Sequence, residues 1–205
     1  MPELAVLLVF IPTFFLVSLT PGLCMTLAMT LGMSVGLRRT FWMMLGEVIG
    51  VALVAVAAVM GVATLMLNYP DIFTVFKWFG GAYLGYLGIR MWLSKERVGS
   101  PGNAVIQSSN WGLVSQGFVT AVSNPKGWAF MISLLPPFLN LSEAISGQLI
   151  VLVAIIMCSE FVCMTIYASG GKSLRVFLQR GDNVHWLNRL AGSLLIAVGA
   201  WLALG

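Results

Sequence analysis

The sequence has too little charge for a soluble domain. Of its 205 residues only 9% are charged and 59% are hydrophobic, and the mean hydropathy is +0.96. A soluble chain of this length cannot bury so much apolar surface, so the composition indicates an integral membrane protein. The chain also has a single histidine, and Cys24, Cys158 and Cys163 show neither metal-ligand nor redox-motif spacing. We therefore expect no metal and no cofactor, and the absence of HExxH and GxSxG motifs argues against an enzyme.

Long apolar runs take up nearly the whole chain. A membrane-spanning helix needs about 20 apolar residues. The runs lie at 4–37, 40–67, 72–94, 111–138, 144–168 and 186–204. We predict an all-α integral membrane protein with six transmembrane helices. The first run has no basic leading region, so we expect it to remain in the mature protein and not to act as a signal peptide.

The basic residues are distributed unevenly among the predicted loops. Nine of the eleven Lys and Arg residues follow the first run, follow the third run or precede and begin the sixth. They are Arg38, Arg39, Arg90, Lys95, Arg97, Lys172, Arg175, Arg180 and Arg189. The positive-inside rule places these regions in the cytoplasm and both termini in the periplasm. The net charge of +4 then reflects orientation and attraction to anionic membrane lipid, and it does not indicate a nucleic-acid partner.

Similar features recur in the two halves of the chain. Glycines of the third and sixth runs match at an offset of 111 positions, and one proline in each of the first and fourth runs matches at an offset of 104. The matched pairs are Gly81 with Gly192, Gly88 with Gly199, and Pro21 with Pro125. A unit of three helices used twice must enter the membrane from opposite sides. We predict inverted repeats at 1–94 and 111–205, joined by a cytoplasmic linker at 95–110.

Pro21 and Pro125 lie near the middle of their apolar runs. Proline lacks an N–H group and clashes with the carbonyl four residues earlier, so it interrupts a helix. Thr20 and Asn124 precede the prolines, as N-cap residues precede proline at the first position of a helix. We predict that the first and fourth helices are each broken into two halves. The free N–H groups of each second half would form an anion site in a cavity at mid-membrane, although a simple kink is the alternative interpretation.

Three ionisable residues lie well inside the runs, where charge is expensive and is a functional candidate by default. Glu47 lies in "MLGEVIG" of the second run and Glu160 in "MCSEFVC" of the fifth. Either carboxyl could load and release a proton in this environment. Lys126, directly after Pro125, is the obvious counter-ion. The alternative is that the glutamates form a buried ion pair or hydrogen bond that locks helix packing.

At these residues the chain resembles the LysE/RhtB-type amino-acid exporters over nearly its whole length. The resemblance is carried by "LTPG", "SVGLRRTFWMMLGEVIG", "FKWFGGAYLGYLGIRMWL", "GFVTAVSNPKGWAFMISLLPPF" and "LNRLAGSLLIAVGAWLAL". It implies a small protein of the bacterial inner membrane that exports amino acids or close derivatives, driven by the proton gradient. Members typically read Pro-Gly-Pro at the first break, whereas this chain reads Pro21-Gly22-Leu23.

The resemblance and the broken helices together lead to one hypothesis for the site. The substrate carboxylate is expected at Thr20, Pro21, Gly22, Asn124, Pro125 and Lys126. Glu47 or Glu160 is expected to hold the substrate ammonium or the exchanged proton. Glu160 is favoured as the proton carrier, because Glu47 lies nearer to Arg38 and Arg39 and is expected to be held ionised by them. The alternative function is a passive channel or a structural subunit of a membrane complex, and a homo-oligomer is compatible with the sequence.

Overall fold

A computed structural model describes residues 4–68, 70–93, 109–140, 144–179 and 183–204, and within these ranges every regular element is helical. The elements in chain order are α1 (Leu4–Leu19), α2 (Leu23–Ser34), α3 (Leu37–Asn68), α4 (Pro70–Leu93), α5 (Asn110–Val122), α6 (Pro125–Leu134), a 3₁₀ turn (Pro136–Phe138), α7 (Ile145–Gln179) and α8 (Asn183–Leu204). They follow the six apolar runs, the first and fourth of which are each divided in two, and α7 continues past the end of the fifth run across a kink at Gly171. Most of the predicted linker at 95–110 lies outside the described residues.

Both predicted helix breaks are confirmed. Helix α1 ends at Leu19 and α2 begins at Leu23, and their axes are bent by 57°. Helix α5 ends at Val122, and α6 begins at Pro125. The cap predicted at Asn124 is also confirmed, because its Oδ1 accepts a hydrogen bond from the Lys126 backbone N–H at 3.1 Å.

The N-cap predicted at Thr20 is wrong. The residue at the N-cap of α2 is Gly22, which has an extended backbone and no side chain to cap the helix. The Thr20 hydroxyl donates instead to the carbonyl of Val17 at 2.6 Å and so belongs to the end of α1. Two residues, Pro21 and Gly22, separate Thr20 from α2, which leaves its side chain too far back to reach the first N–H groups of that helix.

Glycines allow several helices to approach closely. The most extensive helix pairs are α4 with α8, α3 with α5, and α2 with α7. A Cβ atom added at Gly46 would collide with the Val114 carbonyl, and one at Gly117 would collide with the Met43 carbonyl. Small residues at these positions bring the backbones of α3 and α5 together, as is common between membrane helices.

The apolar surface of the helices is long enough for a membrane. Among the described residues, Leu37–Gly61 and Ile145–Gly171 are each long and apolar enough to span a bilayer, and the bent pair α1–α2 would add a third span. Large apolar side chains such as Leu8, Phe79 and Ile150 are about two-thirds exposed or more, which suits a surface in contact with lipid. The count of six spans stays a prediction.

Candidate functional site

The two helix breaks meet inside the bundle. Lys126 Nζ donates a hydrogen bond to Thr20 Oγ1 at 2.9 Å, and a Cβ atom on Gly22 would lie 3.8 Å from the same Nζ. On the other side, Asn124 Nδ2 donates to Cys24 Sγ at 3.9 Å. The starts of α2 and α6 therefore lie side by side, although they are about 100 positions apart in the sequence.

The two glutamates reach this point from α3 and α7, and their surroundings differ. Glu160 Oε1 accepts a hydrogen bond from Ser18 Oγ at 2.8 Å, and the positive charge of Lys126 acts on the same carboxyl. Glu47 is only 1% exposed, and neither of its oxygens has a hydrogen-bond partner within the described part of the chain. Its neighbours include the Cys24 thiol and the Glu160 carboxyl. Glu160 is thus held by a hydroxyl and a nearby cation, whereas Glu47 has only the Cys24 thiol, a weak donor, beside it.

These groups enclose one cavity. Six of the eight predicted site residues line it, namely Thr20, Gly22, Glu47, Asn124, Lys126 and Glu160. Its volume is ≈ 60 Å³, whereas about 10–15 Å³ is enough for one water and a 150 Å³ cavity has been seen to bind benzene. The cavity in this conformation therefore has room for a few waters, and an amino acid would require it to widen. Pro21 and Pro125 do not line the cavity, and their structural effect is to interrupt the helices beside it.

Sequence reasoning missed most of the apolar cavity wall and also three residues that contact its polar groups. Ser18 positions Glu160, and its only signal was a hydroxyl within an apolar run. Cys24 was given no role because its spacing fits neither a metal site nor a redox motif, but its thiol lines the cavity between Asn124 and Glu47. Phe130 places its ring 5.5 Å from the Lys126 ammonium, which is a cation–π distance. The pairing of Phe130 with Lys126 follows from their spacing of four residues on α6.

The arrangement has two poles of opposite charge. Lys126 and the first N–H groups of α2 and α6 form a positive pole that suits a carboxylate. Glu47 and Glu160 form a negative pole that suits an ammonium group or a proton. A molecule that carries both a carboxylate and an ammonium group would satisfy both poles at once.

A bundle of apolar helices with a polar cavity at the junction of broken helices is typical of membrane transporters. The chain belongs to the LysE type translocator family, which matches residues 15–205. The resemblance drawn from the sequence motifs is thereby confirmed. Members of this family are transporters, so the protein is a membrane translocator and not an enzyme.

Individual relatives are similar over almost their full length. An uncharacterized membrane protein of Vibrio cholerae is 27% identical over 204 residues, which cover 98% of each chain. The homoserine/homoserine lactone efflux protein of Salmonella typhimurium is 29% identical over 93% of this chain and 92% of its own. A leucine efflux protein of Enterobacter is 26% identical over 92% of this chain and 90% of its own. No solved structure matches the chain.

Proposed function

We propose that the protein exports amino acids, or close derivatives of them, from the cytoplasm in exchange for protons. The observation that carries this proposal is the cavity lined by Lys126 and by two carboxyls, Glu47 and Glu160, of which Glu160 feels the positive charge of Lys126. Such a cavity complements the two charges of an amino acid. The relatives named as homoserine and leucine efflux proteins support the same class of substrate.

The positive pole would bind the substrate carboxylate. The Lys126 ammonium would approach the carboxylate as a counter-ion. Thr20 accepts a hydrogen bond from Lys126 and would hold that ammonium in place. The N–H groups after Gly22 would add donors, because Gly22 has no side chain to cap them. At α6 the Lys126 N–H is already capped by Asn124, so that helix would contribute mainly the positive end of its dipole. Pro21 and Pro125 maintain this arrangement because they prevent either helix from continuing through the break.

The exchanged proton would be carried by Glu47. A buried carboxylate whose nearest donor is a thiol is costly as an anion, so Glu47 needs either a proton or a cation against it. Glu160 already has Ser18 and Lys126 as partners. This contrast favours Glu47, where the sequence alone favoured Glu160. If proton and substrate ammonium occupy Glu47 in turn, each binds only when the other leaves, and that exclusion is an antiport mechanism.

Contacts between α4 and α8 support the predicted inverted repeats. A Cβ atom on Gly88 would lie 2.5 Å from the Gly192 carbonyl oxygen, and the reverse distance is also 2.5 Å. A Cβ atom on Gly199 would lie 2.6 Å from the Gly81 carbonyl oxygen. In sequence, Gly81 matches Gly192 and Gly88 matches Gly199. If each glycine is exchanged for its match, the contact of Gly88 with Gly192 becomes the contact of Gly199 with Gly81. A two-fold axis between the helices produces this pattern.

The repeats would comprise residues 1–94 and 111–205, with the cavity at their interface as in other inverted-repeat transporters. We further propose that the protein lies in the bacterial inner membrane with both termini in the periplasm. The nine basic residues grouped in three regions support that orientation. Alternating access would then rock one repeat against the other and widen the cavity for the substrate.

The alternative function is a passive channel, and an experiment must distinguish it from the proposed exchanger. The test is counterflow of a panel of labelled amino acids in proteoliposomes, with and without an imposed pH gradient, and with protein-free liposomes as the control. An exchanger is expected to accumulate its substrate against unlabelled substrate and to concentrate it when the pH gradient is applied. A channel would only equilibrate the label. Failure of every amino acid in the panel would contradict the proposal.

A further inference from the structure

The wall of the cavity changes in character from one end to the other. On each of three helices, a polar residue of the site and apolar residues to one side of it along the helix line the cavity together. They are Val51 and Val54 beyond Glu47 on α3, Phe130 and Met131 beyond Lys126 on α6, and Phe14 and Val17 before Ser18 on α1. Val51, Val54, Phe130 and Phe14 are four or seven residues from the polar residue of their own helix, which keeps them on its face. Met131 and Val17 lie beside that face and also line the cavity, so each helix carries its own polar-to-apolar gradient.

The three gradients run in the same direction. The six apolar residues belong to one buried cluster that also contains Phe10 and Leu134, which lie farther from the breaks. Met25, on the opposite side of the break, belongs to a second cluster with Met29 and Met43. The polar groups therefore lie at the junction of two apolar clusters, and the cavity extends from them into the first.

All the charged side chains that line the cavity lie at its polar end. Among the residues that the structure describes, they are Glu47, Lys126 and Glu160. A bound amino acid would use these groups for its own ammonium and carboxylate. Its side chain would then point toward the apolar end, where a charged group would be buried without a counter-ion and a polar group without a hydrogen-bond partner.

We propose that the site selects neutral amino acids with apolar side chains, such as valine and leucine, and that the apolar end is the side-chain subsite. Val51, Val54, Phe130 and Met131 form its wall. This inference rests on the proposed amino-acid transport, because it assumes that the polar end holds the substrate's ammonium and carboxylate. Lysine and glutamate would place a third charge against this wall, so we expect them to be exchanged at least ~10-fold more slowly than leucine.

The experiment compares labelled valine, leucine, threonine, lysine and glutamate in counterflow with the reconstituted wild-type protein. Faster exchange of valine and leucine than of lysine and glutamate supports the inference. Equal or faster exchange of lysine or glutamate overturns it but leaves the proposed function standing. Absence of exchange for every amino acid overturns the proposed function itself. The wild-type panel decides the substrate class without relying on any variant.

A matched pair of substitutions tests the subsite. Val51 and Val48 lie on the same helix and are both 9% exposed, but only Val51 lines the cavity. Val51→Thr adds a hydroxyl to the proposed wall with little change in shape, so the ratio of valine to threonine exchange should fall severalfold. Val48→Thr introduces the same change outside the wall and should leave the ratio as in the wild type. An unchanged ratio in Val51→Thr, or an equal fall in both variants, overturns the subsite.

Discussion

Replacing Glu47 by glutamine removes the negative charge to which we assign the substrate ammonium. The amide is close to the carboxylic acid in shape but does not titrate. The only donor beside Glu47 within the described residues is the weak Cys24 thiol, which can also donate to an amide oxygen, so the variant should fold and keep its thermal stability. The substitution therefore separates the role of the charge from that of the fold.

The expected effect on binding is large because the site is buried. Removing one partner of a buried charge pair typically costs about 2–5 kcal/mol. At about 1.4 kcal/mol for each factor of ten, substrate affinity should fall roughly 30- to 4,000-fold. Binding should also lose its dependence on pH, since the group that exchanges the proton is gone. Equilibrium binding of labelled substrate to purified protein at several pH values measures both effects.

Glu160→Gln is the matched control. Its side chain lies in the same cavity, and the amide oxygen can still accept the hydrogen bond from Ser18. This variant should retain the pH dependence of binding even where its affinity is reduced by the loss of charge beside Lys126. The reasoning is refuted if Glu47→Gln binds substrate like the wild type with the same pH dependence, or if only Glu160→Gln loses that dependence.

Three further predictions concern the helix breaks, the partner of Glu160 and the orientation. Pro21→Ala and Pro125→Ala should sharply reduce counterflow at near-normal expression, since each restores a helical hydrogen bond and withdraws donors from the site; unchanged transport in both would make the prolines ordinary kinks. Ser18→Ala should cost about 1.5–3 kcal/mol of stability through the lost charged hydrogen bond, seen as a lower Tm; an unchanged Tm would argue against that bond. Ser100→Cys, with the native cysteines replaced, should resist impermeant thiol reagents in intact cells; ready labelling would reverse the orientation.

The sequence was sufficient to predict the structural features that depend only on neighbouring residues. Proline interrupts a helix wherever it lies, so the breaks at Pro21 and Pro125 could be predicted without tertiary information. The cap at Asn124 is equally local, because its side chain needs only the N–H of Lys126, two residues away. Thr20 failed as a cap because α2 begins at Leu23 and not directly at Pro21, so its hydroxyl donates to Val17 instead. The point at which a helix resumes after a break depends on packing against distant segments, such as the one that carries Lys126.

Contacts between distant segments could not be predicted in the same way. Ser18 and Glu160 are 142 positions apart, and Cys24 and Asn124 are 100 apart. Neither pair leaves a pattern in one sequence, because each depends on how whole helices pack. Low exposure of Glu47 and Glu160 was predicted from their position in apolar runs, and Glu47 is buried while Glu160 is partly buried. The difference in their partners was not predicted, since it arises from Ser18 and Lys126 on other helices.

The central claim is that a proton and the substrate ammonium occupy Glu47 in turn. The most direct test is to titrate the purified protein with its best counterflow substrate, by calorimetry in buffers of different ionisation enthalpy, and to count the protons released. The account predicts release of about one proton per substrate bound by the wild type, near the pH at which Glu47 is protonated, and none by Glu47→Gln. Substrate binding to the wild type with no proton release at any pH tested, or with equal release from Glu47→Gln, would contradict it.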